Sequence, residues 1–124
     1  MNILVIAEHD NANLKGATLN TVAAAKEIGS DITLLVAGSN TASVISEAQQ
    51  LNGVTKILSC DNDLYKNSLA EELSNLVVSL ASSFSFILAP ATTFGKNLLP
   101  RISAKLDVQQ ISDIISVESE DTFK

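Results

Sequence analysis

Along this chain, short continuous apolar runs alternate with longer stretches in which apolar residues recur every three or four positions. The first run, Ile3-Leu4-Val5-Ile6-Ala7, has no polar alternation, as expected of a strand covered on both faces. A second run, Ile32-Thr33-Leu34-Leu35-Val36-Ala37, has the same character and ends in the turn-like Gly38-Ser39-Asn40. Lys56-Ile57-Leu58-Ser59 and Ser85-Phe86-Ile87-Leu88-Ala89 predict two more strands. Pro90 fits behind the latter because the end of a strand need not donate to the ladder. A last strand is predicted over 108–117, with Ser112 and Asp113 as a bend where the apolar pattern fails.

Between the strands the period changes to that of a helix. Residues 18–28 place Ala17, Thr21, Ala24, Ala25 and Ile28 on one small-residue face, and Gly29 is positioned to end the helix. A second helix over 41–51 groups Val44, Ile45, Ala48 and Leu51, with Ser39 or Asn40 as cap and Gly53 as terminator. The third has the clearest stripe, Leu69, Leu73, Leu76, Val77 and Leu80, with Ser68 and Glu71 at capping-box spacing. A polar loop, Thr92-Thr93-Phe94-Gly95-Lys96, opens a fourth helix running to Leu106, with Leu99, Ile102 and Leu106 on its buried face. Pro100 is expected within its first, unpaired N–H groups. Four strand-helix pairs at roughly 30-residue intervals predict an α/β fold. The sheet should be doubly wound and mostly parallel, with helices on both faces.

Length and composition narrow the function. A single domain of 124 residues is expected, with a core to match its 46% hydrophobic content. Fourteen acidic against eight basic residues give a net charge of −6, which argues against nucleic acid and against anionic membrane surfaces. The apolar runs are far short of the roughly 20 residues a membrane span needs. Nor does the start, Met1 running almost directly into Ile3, read as a signal peptide. A cytoplasmic protein, or a mature organellar one, is expected. One cysteine, Cys60, and one histidine, His9, leave no zinc-type ligand set, and Cys60 is expected to be an inert thiol.

In a parallel sheet, ligands bind beyond the carboxyl ends of the strands, so the loops there hold the candidate residues. Glu8, His9 and Asp10 follow the first strand, where structuring hydrogen bonds compete with a ribose or phosphate contact. His9 could act as a base, but no nucleophile is marked to accompany it. Gly38 precedes a helix start that could offer N–H groups to an anion, or it is a turn residue. The loop from Thr92 to Asn97, with the hydroxyls of Thr92 and Thr93, Gly95 and Lys96, has the composition of a phosphate cradle, or of a structural turn or partner contact, and Arg101 and Lys105 add positive charge to the same helix. The five glycines, at 16, 29, 38, 53 and 95, form neither a dinucleotide fingerprint nor a P-loop.

The wording of these segments resembles the electron-transfer flavoprotein alpha subunit over essentially all of the chain. The matching pieces are Leu4-Val5-Ile6-Ala7-Glu8-His9, Thr18-Leu19-Asn20-Thr21, Leu35-Val36-Ala37-Gly38 and Ile111-Ser112-Asp113-Ile114. The most specific is the block Phe94-Gly95-Lys96-Asn97-Leu98-Leu99-Pro100-Arg101 continuing through Ala104-Lys105-Leu106-Asp107.

The resemblance implies a Rossmann-like domain of the adenine nucleotide alpha hydrolase type. It also implies a heterodimer with a beta subunit that passes electrons from acyl-CoA and other flavin dehydrogenases to a membrane-bound quinone oxidoreductase. FAD is then expected mainly in the alpha subunit's own C-terminal domain, beyond Lys124, and AMP in the beta subunit. For these 124 residues the implied role is a scaffold and subunit contact that holds neither cofactor and catalyses nothing. Its compartment would be the bacterial cytoplasm or, in a eukaryote, the mitochondrial matrix, with fatty acid beta-oxidation as one source of electrons. Two alternatives remain open on the residues: a small nucleotide-binding module of the stress-protein type, and a hydrolase or lyase using His9.

Overall fold

The computed structural model describes residues 2–10, 13–29, 31–39, 41–62, 70–106, 110–111 and 114–116. The elements follow in the order β1 (Asn2–Ile6), α1 (Gly16–Ile28), β2 (Asp31–Gly38), α2 (Ala42–Ala48), β3 (Lys56–Asp61), α3 (Ala70–Leu80), β4 (Phe86–Leu88), α4 (Thr93–Leu106), β5 (Gln110–Ile111) and β6 (Ile114–Ser116). They build one sheet in the order β3-β2-β1-β4-β6-β5. The first four are parallel neighbours, with Ile3 opposite Ile32 and Phe86, and Leu34 opposite Ile57. Strand β6 runs antiparallel to both β4 and β5. The fold is thus α/β and doubly wound, with a mostly parallel sheet, as the alternation of segments predicts.

Period-two alternation explains why β1 and β2 are apolar almost throughout. Leu4 and Ile6 of β1, Leu35 and Ala37 of β2, and Ile87 of β4 point to one face, where Leu73 and Val77 of α3 and Leu98, Leu99 and Ile102 of α4 cover them. Ile3, Val5, Ile32, Leu34, Val36 and Leu88 point to the other, under Val22 and Ala25 of α1 and Val44 and Ala48 of α2. Every residue from Ile3 to Ala7 and from Ile32 to Ala37 is buried. Burying one Leu or Ile side chain stabilises a fold by about 1.5–3 kcal/mol, so these two strands carry much of the core.

Several boundaries differ from the sequence expectation. Helix α1 starts at Gly16, two residues early, and buries Val22 whereas Ala24 is exposed. Helix α2 stops at Ala48, because the Gln50 and Leu51 N–H groups turn to the carbonyls three residues back. Strand β3 extends through Cys60, which is half-buried against the α3/α4 side of the core. Pro100 is the eighth residue of α4, well past the first turn. It is exposed there, so its ring meets solvent on one side, though it cannot donate to the Lys96 carbonyl. The single last strand is instead a pair, β5 and β6, which form an antiparallel hairpin. The Ser112-Asp113 bend and the Ser68 capping position, like Leu69 of the α3 stripe, lie outside the described residues.

Candidate functional site

Strand β1 has β2 on one side and β4 on the other, and the helices that follow β1 and β4 pack on opposite faces. The carboxyl ends of β1 and β4 therefore flank a switch point, where open α/β sheets take their ligands. Glu8 follows β1 there and Thr92 follows β4, and the Thr92 hydroxyl donates to Glu8 Oε1 at 2.8 Å. The backbone of Glu8 is held as well. Its N–H donates to Thr18 Oγ1 at 2.9 Å, the Thr18 hydroxyl donates back to its carbonyl at 3.0 Å, and the Lys15 N–H reaches the same carbonyl at 2.8 Å. The early start of α1 produces this clamp, since it places Thr18 inside the first turn.

His9 is buried, with Nε2 2.8 Å from the Ala37 carbonyl at the end of β2. A carbonyl only accepts, so Nε2 carries the proton. The residue also pairs with Leu14 in an isolated antiparallel bridge, and the Leu14 N–H donates to Glu47 Oε1 at 2.8 Å. The imidazole is thereby a strut between the first two carboxyl-end loops. Asp10 accepts the Asn13 N–H at 2.7 Å and closes the loop on itself.

Gly38 is not a turn residue. It ends β2 opposite Asp61, and its carbonyl accepts the Asn62 N–H at 2.7 Å. The helix start behind it is capped at Thr41 rather than at Ser39, and Asn40 lies outside the described residues. The Thr41 N–H donates to Asp61 Oδ2 at 3.2 Å, so a carboxylate of the chain itself stands at this helix start.

At the start of α4, Thr93 is exposed and Gly95 is buried. A Cβ on Gly95 would stand 1.9 Å from the Pro90 carbonyl oxygen, so glycine here permits the helix to close onto the preceding turn, not a ligand to approach. Lys96 is exposed, and its N–H donates to the Thr92 carbonyl at 2.8 Å. Arg101 stands mid-helix, away from the strand ends. It reaches Glu71 of α3 at 3.3 Å, and Lys105 reaches the other oxygen of the same carboxylate at 2.9 Å. The Lys105 hydrogen bond and charge, with Arg101 beside them, hold the Glu71 carboxyl below its ordinary value.

The structure thus brings Glu8 together with Thr92, a hydroxyl of the candidate phosphate cradle whose pairing with Glu8 the sequence does not show, and separates Arg101 from the carboxyl edge. Thr18, Glu47 and Asp61 were also missed. Asp61 could have been found, since it is the last residue of its strand and the rule that searches strand ends applies to it. Thr18 could not, because a hydroxyl inside a helix gives no sign of which loop it will meet. Two clefts lie elsewhere: one of about 300 Å³ opens beside Asn2, Asp31 and Lys56, the first residues of β1, β2 and β3, at the edge opposite to the strand ends that hold ligands, and one of about 210 Å³ is lined by Ala48, Gln49, Val54 and Thr55 beside the start of β3. Among the described residues no group of three His, Cys, Asp or Glu side chains could hold a metal ion, and no helix is long and apolar enough to cross a membrane.

Comparison with known proteins adds what geometry alone does not. The electron transfer flavoprotein domain matches residues 3–124. The electron transfer flavoprotein subunit alpha of Pseudomonas aeruginosa is 57% identical over all of this chain and 40% of its own length. The mitochondrial alpha subunit of Dictyostelium discoideum is 43% identical over 98% of this chain and 36% of its own. The alpha subunit of Paracoccus denitrificans is 42% identical, again over all of this chain and 40% of its own length. The chain therefore spans about 40% or less of these relatives.

Proposed function

The chain belongs to the electron transfer flavoprotein family, and from that premise we propose that it is the N-terminal domain of an alpha subunit, acting as scaffold and subunit contact rather than as cofactor holder. The complex it serves would carry electrons from flavin dehydrogenases, those for acyl-CoA among them, to a quinone oxidoreductase. FAD would sit in the alpha subunit's C-terminal domain and AMP in the beta subunit. The observation that carries the scaffold reading is the carboxyl edge of the sheet. There the side chains of Glu8, Thr92, His9 and Asp61 bond to one another or to the backbone of the chain.

A dinucleotide needs donors for its pyrophosphate and an apolar slot for its ring system. The chain has no glycine-rich phosphate motif and no tryptophan, and its net charge is −6. Lys96, exposed at the start of α4, is the candidate for a contact with the beta subunit or the flavin domain, and Arg101, exposed and in a surface ion pair with Glu71, is a second one farther along the helix.

Purified alone, residues 1–124 should be colourless and leave the absorption and fluorescence of added FAD unshifted. Extended to the length of its relatives and co-expressed with a beta subunit, the protein should come out yellow. In that complex Lys96→Ala should weaken assembly by about tenfold without lowering the melting temperature of the isolated domain. Stoichiometric FAD on residues 1–124, or a full-length protein that never assembles with a beta subunit, would defeat the proposal.

A further inference from the structure

At the amino edge of the sheet, α3 stops short of the first residues of three strands. Strand alternation turns Thr33, Lys56 and Leu58 to the face of Leu35 and Leu4, the one that α3 and α4 cover. Helix α3 ends at Leu80, and a turn of 3-10 helix, Ala81–Ser83, carries the chain on to Phe84. Between this turn and the strands lies the cleft of about 300 Å³, the lower end of the range for small-molecule sites.

Its lining is chemically divided. Leu58, Leu80 and Phe84, all half-buried, form an apolar wall. Thr33 lines the cleft while only 4% exposed, and its hydroxyl has no hydrogen-bond partner among the described residues, although buried hydroxyls ordinarily find one. Lys56 and Asp31 stand exposed on the rim, opposite in charge, and form no ion pair with each other. Asp31 Oδ1 accepts the Thr55 hydroxyl at 3.1 Å, and the Asn2 side-chain amide donates to the Ser83 carbonyl at 3.2 Å.

We propose that this cleft binds a free α-amino acid with an apolar side chain. The ligand's carboxylate bonds to the Lys56 ammonium and accepts the Thr33 hydroxyl. Its ammonium faces Asp31 and the carbonyl end of α3, where the helix dipole favours a cation. Its side chain lies against Leu58, Leu80 and Phe84. A ligand with both charges satisfies both ends of the rim, whereas a simple acid or amine leaves one rim charge unanswered. The site is remote from the carboxyl edge and independent of flavin and of subunit assembly.

Two-dimensional amide NMR spectra of the 124-residue chain test this, since they report the fold and the place of binding together. L-phenylalanine should saturably shift the amide signals of Thr33, Lys56 and Phe84. Phenylpropionate, which lacks the ammonium, phenethylamine, which lacks the carboxylate, and glycine, which lacks the side chain, should each bind at least about tenfold more weakly. Lys56→Gln should weaken phenylalanine about tenfold and leave phenethylamine unchanged. Asp31→Asn, which keeps an oxygen for Thr55, should weaken phenylalanine but not phenylpropionate, and Thr33→Val should weaken phenylalanine while keeping the parent's spectrum elsewhere. The proposal is overturned if phenylalanine gives no saturable shift at these residues, or if any of the three comparison compounds binds as tightly as phenylalanine. It is equally overturned if Lys56→Gln and Asp31→Asn, folded as the parent is, bind phenylalanine as the parent does.

Discussion

Gly95 shows how much a single position can carry without touching a ligand. Its missing side chain allows the first turn of α4 to close on the Pro90 carbonyl, where a Cβ would come within 1.9 Å of the oxygen. Backbone cannot move aside as a flexible side chain can, so Gly95→Ala should destabilise the domain by about 3 kcal/mol, at the upper end for an overpacked core. Chemical denaturation measures this directly, and an unchanged midpoint would mean that the turn is looser than described. Glu71 makes the opposite case, an exposed residue whose effect depends on pH. Its carboxyl is held below the usual range, first by the Lys105 hydrogen bond and charge and then by Arg101. A carboxyl whose pKa is lower folded than unfolded adds stability at pH values above its unfolded pKa, and that stability is lost as pH falls through the folded one. Glu71→Gln should therefore melt slightly below the parent at neutral pH, by a few degrees at most, and the gap should close in acid. High salt should shrink the gap at neutral pH too. A gap that widened in acid would contradict the assignment.

At the level of the element, α3 was the most legible segment and still needed the structure to rank its residues. The stripe of Leu73, Leu76, Val77 and Leu80 repeats at helical spacing, and the helix is there. Leu73 and Val77 are buried among Leu4, Ile6 and Leu98, whereas Leu76 and Leu80 lie at the margin, half-buried. Leu73→Asp should therefore cost several kcal/mol, about 3–5, by placing a carboxylate among apolar side chains, and Leu76→Asp about half as much. Urea melts of the two variants decide it, and equal losses would show that the helix is turned from the orientation described. The ends of elements were harder to read than their middles. Helix α1 begins at Gly16 without a side-chain cap, so no capping residue announced its start. The last segment reads as one strand in the sequence because an apolar run interrupted by two polar residues does not say whether the chain bends or reverses.

For the whole molecule, sequence and tertiary structure contributed different things. The alternation of apolar runs with helical stripes determined the α/β class, and the near-continuous apolar strands determined that both faces of the sheet would be covered, since burial on two sides removes the polar half of the alternation. The block from Phe94 to Asp107 carried the family resemblance, which the match over residues 3–124 then established. Local patterns are legible because they depend on the period of one element and the solvent around it. The strand order β3-β2-β1-β4-β6-β5, with its switch point beside β1, depends on which strands meet across the sheet, and no window of neighbouring residues encodes that. The candidate site was therefore half visible. Glu8, His9 and Gly95 were named from their loops, but the bond from Thr92 to Glu8 joins residues 84 positions apart, and the strut from His9 to Ala37 joins residues 28 apart. Only the folded chain brings these groups together. There it decided that Glu8 faces the cap of α4, that His9 meets the end of β2 and that Arg101 faces Glu71, because most buried donors and acceptors of a folded chain find partners, and the partners here lie far away in sequence.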